Sequence, residues 1–221
     1  MSQNEAQTVN NGNPFLQNHP ALIRIWHWLT FILITLSIVT VLLNATLLNP
    51  SRNAKPVQAQ LKDQGITIDD RQAFFLAHHF DDQLWDLHKY LGISIALLLL
   101  FRIAGELTLP AGERATAKMK SALARYREDK ENRDLYRHYL AVRITYSLFY
   151  LLIIIMAVTG LMLAFGRNLG ISRELNHSIK EFHGACQWAV YAFVLIHIAG
   201  VISADLGKAK GVVSGMINGN K

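Results

Sequence analysis

Four long apolar blocks separated by polar connections organise the chain, over approximately residues 22–47, 84–107, 142–165 and 183–206. Runs such as ITLSIVTVLL, ISIALLLLF and SLFYLLIIIMAV hold almost no ionisable group. Each block is close to the ~20 residues that a ~30 Å hydrocarbon layer requires of a helix. Lipid offers the backbone no hydrogen-bond partners, so a helix that satisfies its own amides is the expected element. Buried helices of a soluble protein are the competing expectation, but four such blocks leave too little polar sequence to cover them. The pattern predicts an all-α, integral membrane four-helix bundle.

The polar stretches set the organisation around these spans. Residues 1–20 are polar and rich in Asn, with neither a basic flank nor an apolar stretch. They are expected to form a disordered tail rather than a cleaved signal peptide, so that the first span is retained. Residues 21–207 then form the bundle and 208–221 a second tail. The first connection has Pro and Gly breakers around two short helical segments, and is expected to cap one mouth of the bundle. The second has no breaker after Gly112 and is expected to extend the third helix as a basic amphipathic rod.

Charge adds an orientation. Residues 102–143 carry ten Lys or Arg, whereas residues 45–88 carry four against six Asp. Arg24, Lys208, Lys210 and Lys221 agree with a cytoplasmic location for both termini. With 221 residues, 51% hydrophobic, 17% charged and a net charge of +6, the chain reads as a multi-pass protein of the inner membrane. The positive charge is explained by topology and by attraction to anionic lipid more economically than by nucleic acid. Cys186 is the only cysteine, which excludes an internal disulfide, a cysteine-ligated iron–sulfur cluster and a covalent c-type haem.

Candidate chemistry comes from histidines inside the spans. His183 and His197 are fourteen residues apart, close to four helical turns. Both therefore face the same way about 21 Å apart. With both termini inside, His88 matches His183 in depth and His27 matches His197. Two bis-imidazole haem sites at two levels follow. Intramembrane ionisable groups are costly and point to function, although ordinary interface histidines are the competing explanation. Zinc fits poorly, because its ligands converge within ~2.1 Å of one ion. His78 and His79 compete with His88 as a ligand, whereas His19, His138 and His177 fall in tails or connections and are expected to be solvated.

Other residues complete the pattern. Arg102 lies fourteen residues after His88, and Arg24 one turn before His27. Either guanidinium can hold haem propionates or can simply snorkel to fix helix depth. Gly92, Gly160, Gly184 and Gly200 can admit a macrocycle or let helices pack closely. Trp26, Trp28 and Trp85 suit an interfacial belt.

Arg24-Ile25-Trp26-His27-Trp28-Leu29, His88-Lys89-Tyr90-Leu91-Gly92, Thr159-Gly160-Leu161, His183-Gly184 and Ile196-His197 together resemble the prokaryotic four-helix cytochrome b561 superfamily. This group includes the b-type cytochrome subunits of nickel–iron hydrogenase and formate dehydrogenase. The resemblance runs from Leu22 to about Asn218, and Ser214-Gly215-Met216-Ile217-Asn218-Gly219 looks like the tail of the hydrogenase cytochromes. Where many hydrogenase-type members carry Gly-His-Asn-Pro before the third helix, this chain has Arg137-His138-Tyr139-Leu140.

The resemblance implies two haems b on His27, His88, His183 and His197, and a quinone as exchange partner, with Arg24, Arg102, Arg143 and Lys208 as polar neighbours. Three functions stand open. One is a dihaem cytochrome linking a periplasmic redox protein to the quinone pool. Another is a free-standing oxidoreductase resembling superoxide oxidase, with Lys89, Arg167 and Lys180 as its positive funnel. A third is a haem-free transporter or structural protein. Membrane lipid and further copies of the chain complete the partners that the sequence allows.

Overall fold

In the computed structural model, residues 20–131, 133–206 and 212–219 are described. The expectations for His19, the N-terminal tail, Lys208, Lys210 and Lys221 lie outside the described residues. Among the described residues, seven helices follow in order: α1 (Ala21–Ala45), α2 (Pro50–Asp63), α3 (Asp70–Thr108), α4 (Ala115–Glu128), α5 (Arg133–Phe165), α6 (Arg173–Leu206) and α7 (Val212–Asn218). There is no strand among the described residues. Helices α1, α3, α5 and α6 are long and apolar enough to cross a membrane.

The spans start earlier than their apolar blocks. The Asp69 side chain accepts from Gln72 N–H at 2.7 Å while Gln72 Oε1 accepts from Asp69 N–H at 3.0 Å. This reciprocal cap starts α3 fourteen residues before its apolar block. The second of the two short segments expected in the first connection is thus the polar head of α3. The first is α2, begun by Asn49 and Pro50 and closed at Gly65, which has φ +78°. Hydropathy marks the lipid-facing part of a helix and not its end. His88 and His183 therefore lie well inside α3 and α6 rather than at their starts.

The basic rod expected in the second connection is a separate helix instead. Although α5 does extend to Arg133, α4 packs against it as a distinct element. Helix α4 ends at Glu128, after which Asp129 is extended. Glu106 on α3 accepts from the Ala115 N–H that opens α4, and Arg114 donates back to the carbonyls of Leu107 and Leu109. Each helix end thereby satisfies orphan groups of the other.

Neighbouring contacts run α1 on α3, α3 on α5, and α5 on α6, with α2 against α3. Trp26 meets Leu98, and Thr40 meets His88, so α1 and α3 are antiparallel. Phe149 stacks on Phe193 at 3.8 Å, and Thr159 meets His183, which makes α5 and α6 antiparallel. Each span contributes one residue to the buried centre: Ile34, Leu99, Ile153 and Val190. No more than 22% of any span's most apolar window is buried within the chain, which leaves a large apolar surface of the kind that faces lipid or a partner.

Candidate functional site

The polar face of α1 explains how one histidine is held. Ser37, Thr40 and Asn44 recur at helical spacing and form a stripe toward α3. Thr40 Oγ1 spends its proton on Ser37 C=O at 2.7 Å and lies 3.0 Å from His88 Nδ1. Ser37 Oγ reaches the same nitrogen at 3.2 Å. A hydroxyl whose only proton is committed must accept, so His88 carries its hydrogen on Nδ1 and keeps the Nε2 lone pair.

The same device recurs on α5. Thr159 Oγ1 donates to Ile155 C=O at 2.7 Å and accepts from His183 Nδ1 at 2.8 Å. Gly160 follows it, and a Cβ there would meet His183 Cε1 at 3.3 Å. The His183 ring is thus held at Nδ1 and seated against backbone. A hydrogen bond at one ring nitrogen that leaves the other to a metal is the usual support of a ligating histidine.

His27 and His197 form the second meeting point. Their ring centroids are 6.3 Å apart with an interplanar angle of 58°. Two imidazoles on opposite sides of one metal, each with a bond of ~2.0 Å, have centroids about 6 Å apart. The observed spacing fits that arrangement. The Phe193 ring lies parallel to that of His197, at 5.8 Å and 7°. Ile34, Leu99, Ile153 and Val190 pack together as an apolar cluster; along α1 Ile34 falls between His27 and Thr40, the residue that meets His88, and along α6 Val190 falls between His183 and His197.

His78 and His79 are placed elsewhere. His78 sits between two carboxylates, with Nδ1 3.0 Å from Asp81 and Nε2 3.7 Å from Asp82. His79 is exposed and meets Gln83 at 3.3 Å. His138 and His177 are exposed but lie on α5 and α6 rather than in connections, and His177 is 3.2 Å from Glu181.

The two arginines have protein partners. Arg102 Nη1 pairs with Glu106 at 3.0 Å, and its guanidinium lies 6.0 Å from the Trp26 ring. Arg24 Nη1 donates to Ile217 C=O at 3.0 Å, and Trp28 Nε1 donates to Met216 C=O at 3.1 Å. Arg24 and Trp28 thereby clasp α7 to α1. Trp26 Nε1 donates to Leu98 C=O at 3.0 Å, so the tryptophans expected in an interfacial belt also tie helices together. Arg143 pairs with Tyr139, and Lys89 with Asp86 at 2.7 Å. A Cβ at Gly92, Gly184 or Gly200 would meet nothing within 4 Å, so close helix packing does not explain these three glycines.

Sequence reasoning missed Ser37, Thr40 and Asn44. Their signal was a polar residue recurring every three to four positions inside an otherwise apolar span. Thr159 was noticed only as part of a motif.

None of the curated proteins and none of the solved structures matches the chain. The family described as prokaryotic cytochrome b561 matches residues 18–219. Membership implies a membrane protein with b-type haem on histidine ligands and a role in electron transfer. The match spans all four apolar helices and both histidine pairs, and the chain belongs to the prokaryotic cytochrome b561 family.

Proposed function

We propose that the chain is a dihaem cytochrome of the inner membrane that carries electrons between a periplasmic redox protein and the quinone pool. In this reading His27 and His197 ligate one haem, and His88 and His183 ligate the other. The observation that carries it is the arrangement of four intramembrane histidines as two pairs, one with centroids 6.3 Å apart and one held at Nδ1 by hydroxyls on both sides.

Bound haem supplies a one-electron Fe(III)/Fe(II) couple. The protein's part would be to ligate each haem through two histidines, His27 with His197 and His88 with His183, an arrangement that would favour electron transfer over chemistry at the iron. Thr40, Ser37 and Thr159 fix the tautomer and aim of their rings. The apolar cluster of Ile34, Leu99, Ile153 and Val190 offers water no hydrogen-bond partner near the centre of the bundle. Arg102 and Arg24 stand at the level of the His27–His197 pair, and each guanidinium has five N–H donors, more than its protein partner uses. Those remaining donors are offered to haem propionates. Arg143 is the further cation on this side for a quinone headgroup.

The superoxide reading loses part of its support, since Lys89 in its proposed funnel is paired with Asp86. A reduced-minus-oxidised spectrum and a haem count on the purified protein test the main reading. Two haems per chain are expected, and a protein that stays colourless when supplied with haem refutes it.

A further inference from the structure

A ladder of side chains joins the α2 end of the bundle to His88. Asp81 is 6% exposed, and its Oδ2 accepts from His78 Nδ1 at 3.0 Å. With its amide oriented to satisfy both neighbours, Asn44 donates to Asp81 Oδ1 at 3.2 Å and accepts from Trp85 Nε1 at 3.2 Å. Asn44 is itself only 4% exposed. Trp85 then sets its edge against the His88 ring, with centroids 5.6 Å apart and planes at 83°.

A buried carboxylate is costly, and tying α3 to α1 does not require one. Asparagine at position 81 would accept from Asn44 equally well, and His78 could meet its amide by changing tautomer. The negative charge is therefore the part of Asp81 that packing leaves unexplained. Nearby cations do not outweigh it: Lys89 is paired with Asp86 at 2.7 Å, and the one imidazole beside Asp81, that of His78, is shared with a second carboxylate, Asp82, so two carboxylates face one histidine. Asp81 stands two turns from His88 along α3, about 10 Å.

We propose that Asp81 is a positioning residue for the haem of the His88–His183 pair, which holds Trp85 against His88 through Asn44 and whose charge lowers that haem's potential. The inference rests on the ligation proposed above. Ferric bis-imidazole haem carries one more positive charge than ferrous haem, so a fixed anion in a medium of low dielectric favours the oxidised form.

The test is a redox titration of the full-length, haem-loaded protein, with the two haems distinguished by their absorption and low-spin resonance signals. In Asp81→Asn the potential of the haem that His88→Ala removes should rise, with the other haem unmoved and haem content unchanged. Asp81→Glu should restore the native value. Asp82→Asn, whose side chain is 64% exposed, should leave the potential near native. Trp85→Phe keeps the charge, and should alter the resonance signal of that haem more than its potential. If Asp81→Asn does not accumulate, Asp81→Ser must show the same upward shift. An unchanged potential, or an equal shift of both haems, overturns the proposal while two haems remain bound. Retention of both haems in His88→Ala would instead refute the ligation on which it rests.

Discussion

His27 on α1 and His197 on α6 are 170 residues apart in sequence, yet their imidazole centroids stand 6.3 Å apart. If one iron lies between them, the two residues act as a unit. His27→Ala and His197→Ala should each remove the same haem, and the double variant should lose no more than either single. His88→Ala and His183→Ala should remove the other. Difference spectra with haem quantification check this, and four independent, partial losses would contradict the pairing.

Thr159→Val removes one hydroxyl while keeping the shape of the side chain. Thr159 is 9% exposed, so the His183 Nδ1–H is left without its acceptor in a dry site. Haem affinity at that level should fall by about 10–100-fold. The haem-free protein should also lose about 1–3 kcal/mol of stability through the unsatisfied donor. Haem transfer to a competing acceptor measures the first effect, and thermal unfolding of the apoprotein the second.

Gly160→Ala tests the seat of the same ring. The added methyl would come within 3.3 Å of His183 Cε1, which tilts the imidazole without removing it. Haem should still bind, but its low-spin resonance signal should change at the His88–His183 level alone. A change at the other level would show that the two sites are not separated as the apolar centre implies.

Gly219 closes α7 in a left-handed conformation with φ +65°, and a Cβ there would lie 2.8 Å from Arg24 Nη1. Gly219→Ala should therefore cost at least the ~1–2 kcal/mol of that backbone conformation and also displace the guanidinium. Arg24→Leu should release α7 in the same way. Hydrogen exchange at the amides of α7 should accelerate in both variants, with the exchange of α3 and α5 unaffected.

The second connection shows where sequence reading stops. Its lack of breakers suggested one continuous rod, but α4 is a separate helix that packs on α5, where Arg125 Nη1 donates to Tyr136 Oη at 3.2 Å. Arg102 shows a similar limit. Its fourteen-residue spacing from His88 predicted its level, but not the pairing with Glu106 one turn further on. Periodicity fixes the face of a single helix, whereas a partner depends on what another element brings to that face.

The sequence by itself determined the four apolar helices and the two depths of histidine, because lipid demands long apolar spans and helical rise is constant. It also carried the family. Tertiary structure decided that His78 sits between Asp81 and Asp82 and His79 beside Gln83, and that Ser37 and Thr40 meet the His88 ring and Thr159 the His183 ring. It decided, too, that Arg24 clasps α7. These outcomes depend on the rotation and register of one helix against another, which side-chain packing sets and the period of a single chain segment leaves open.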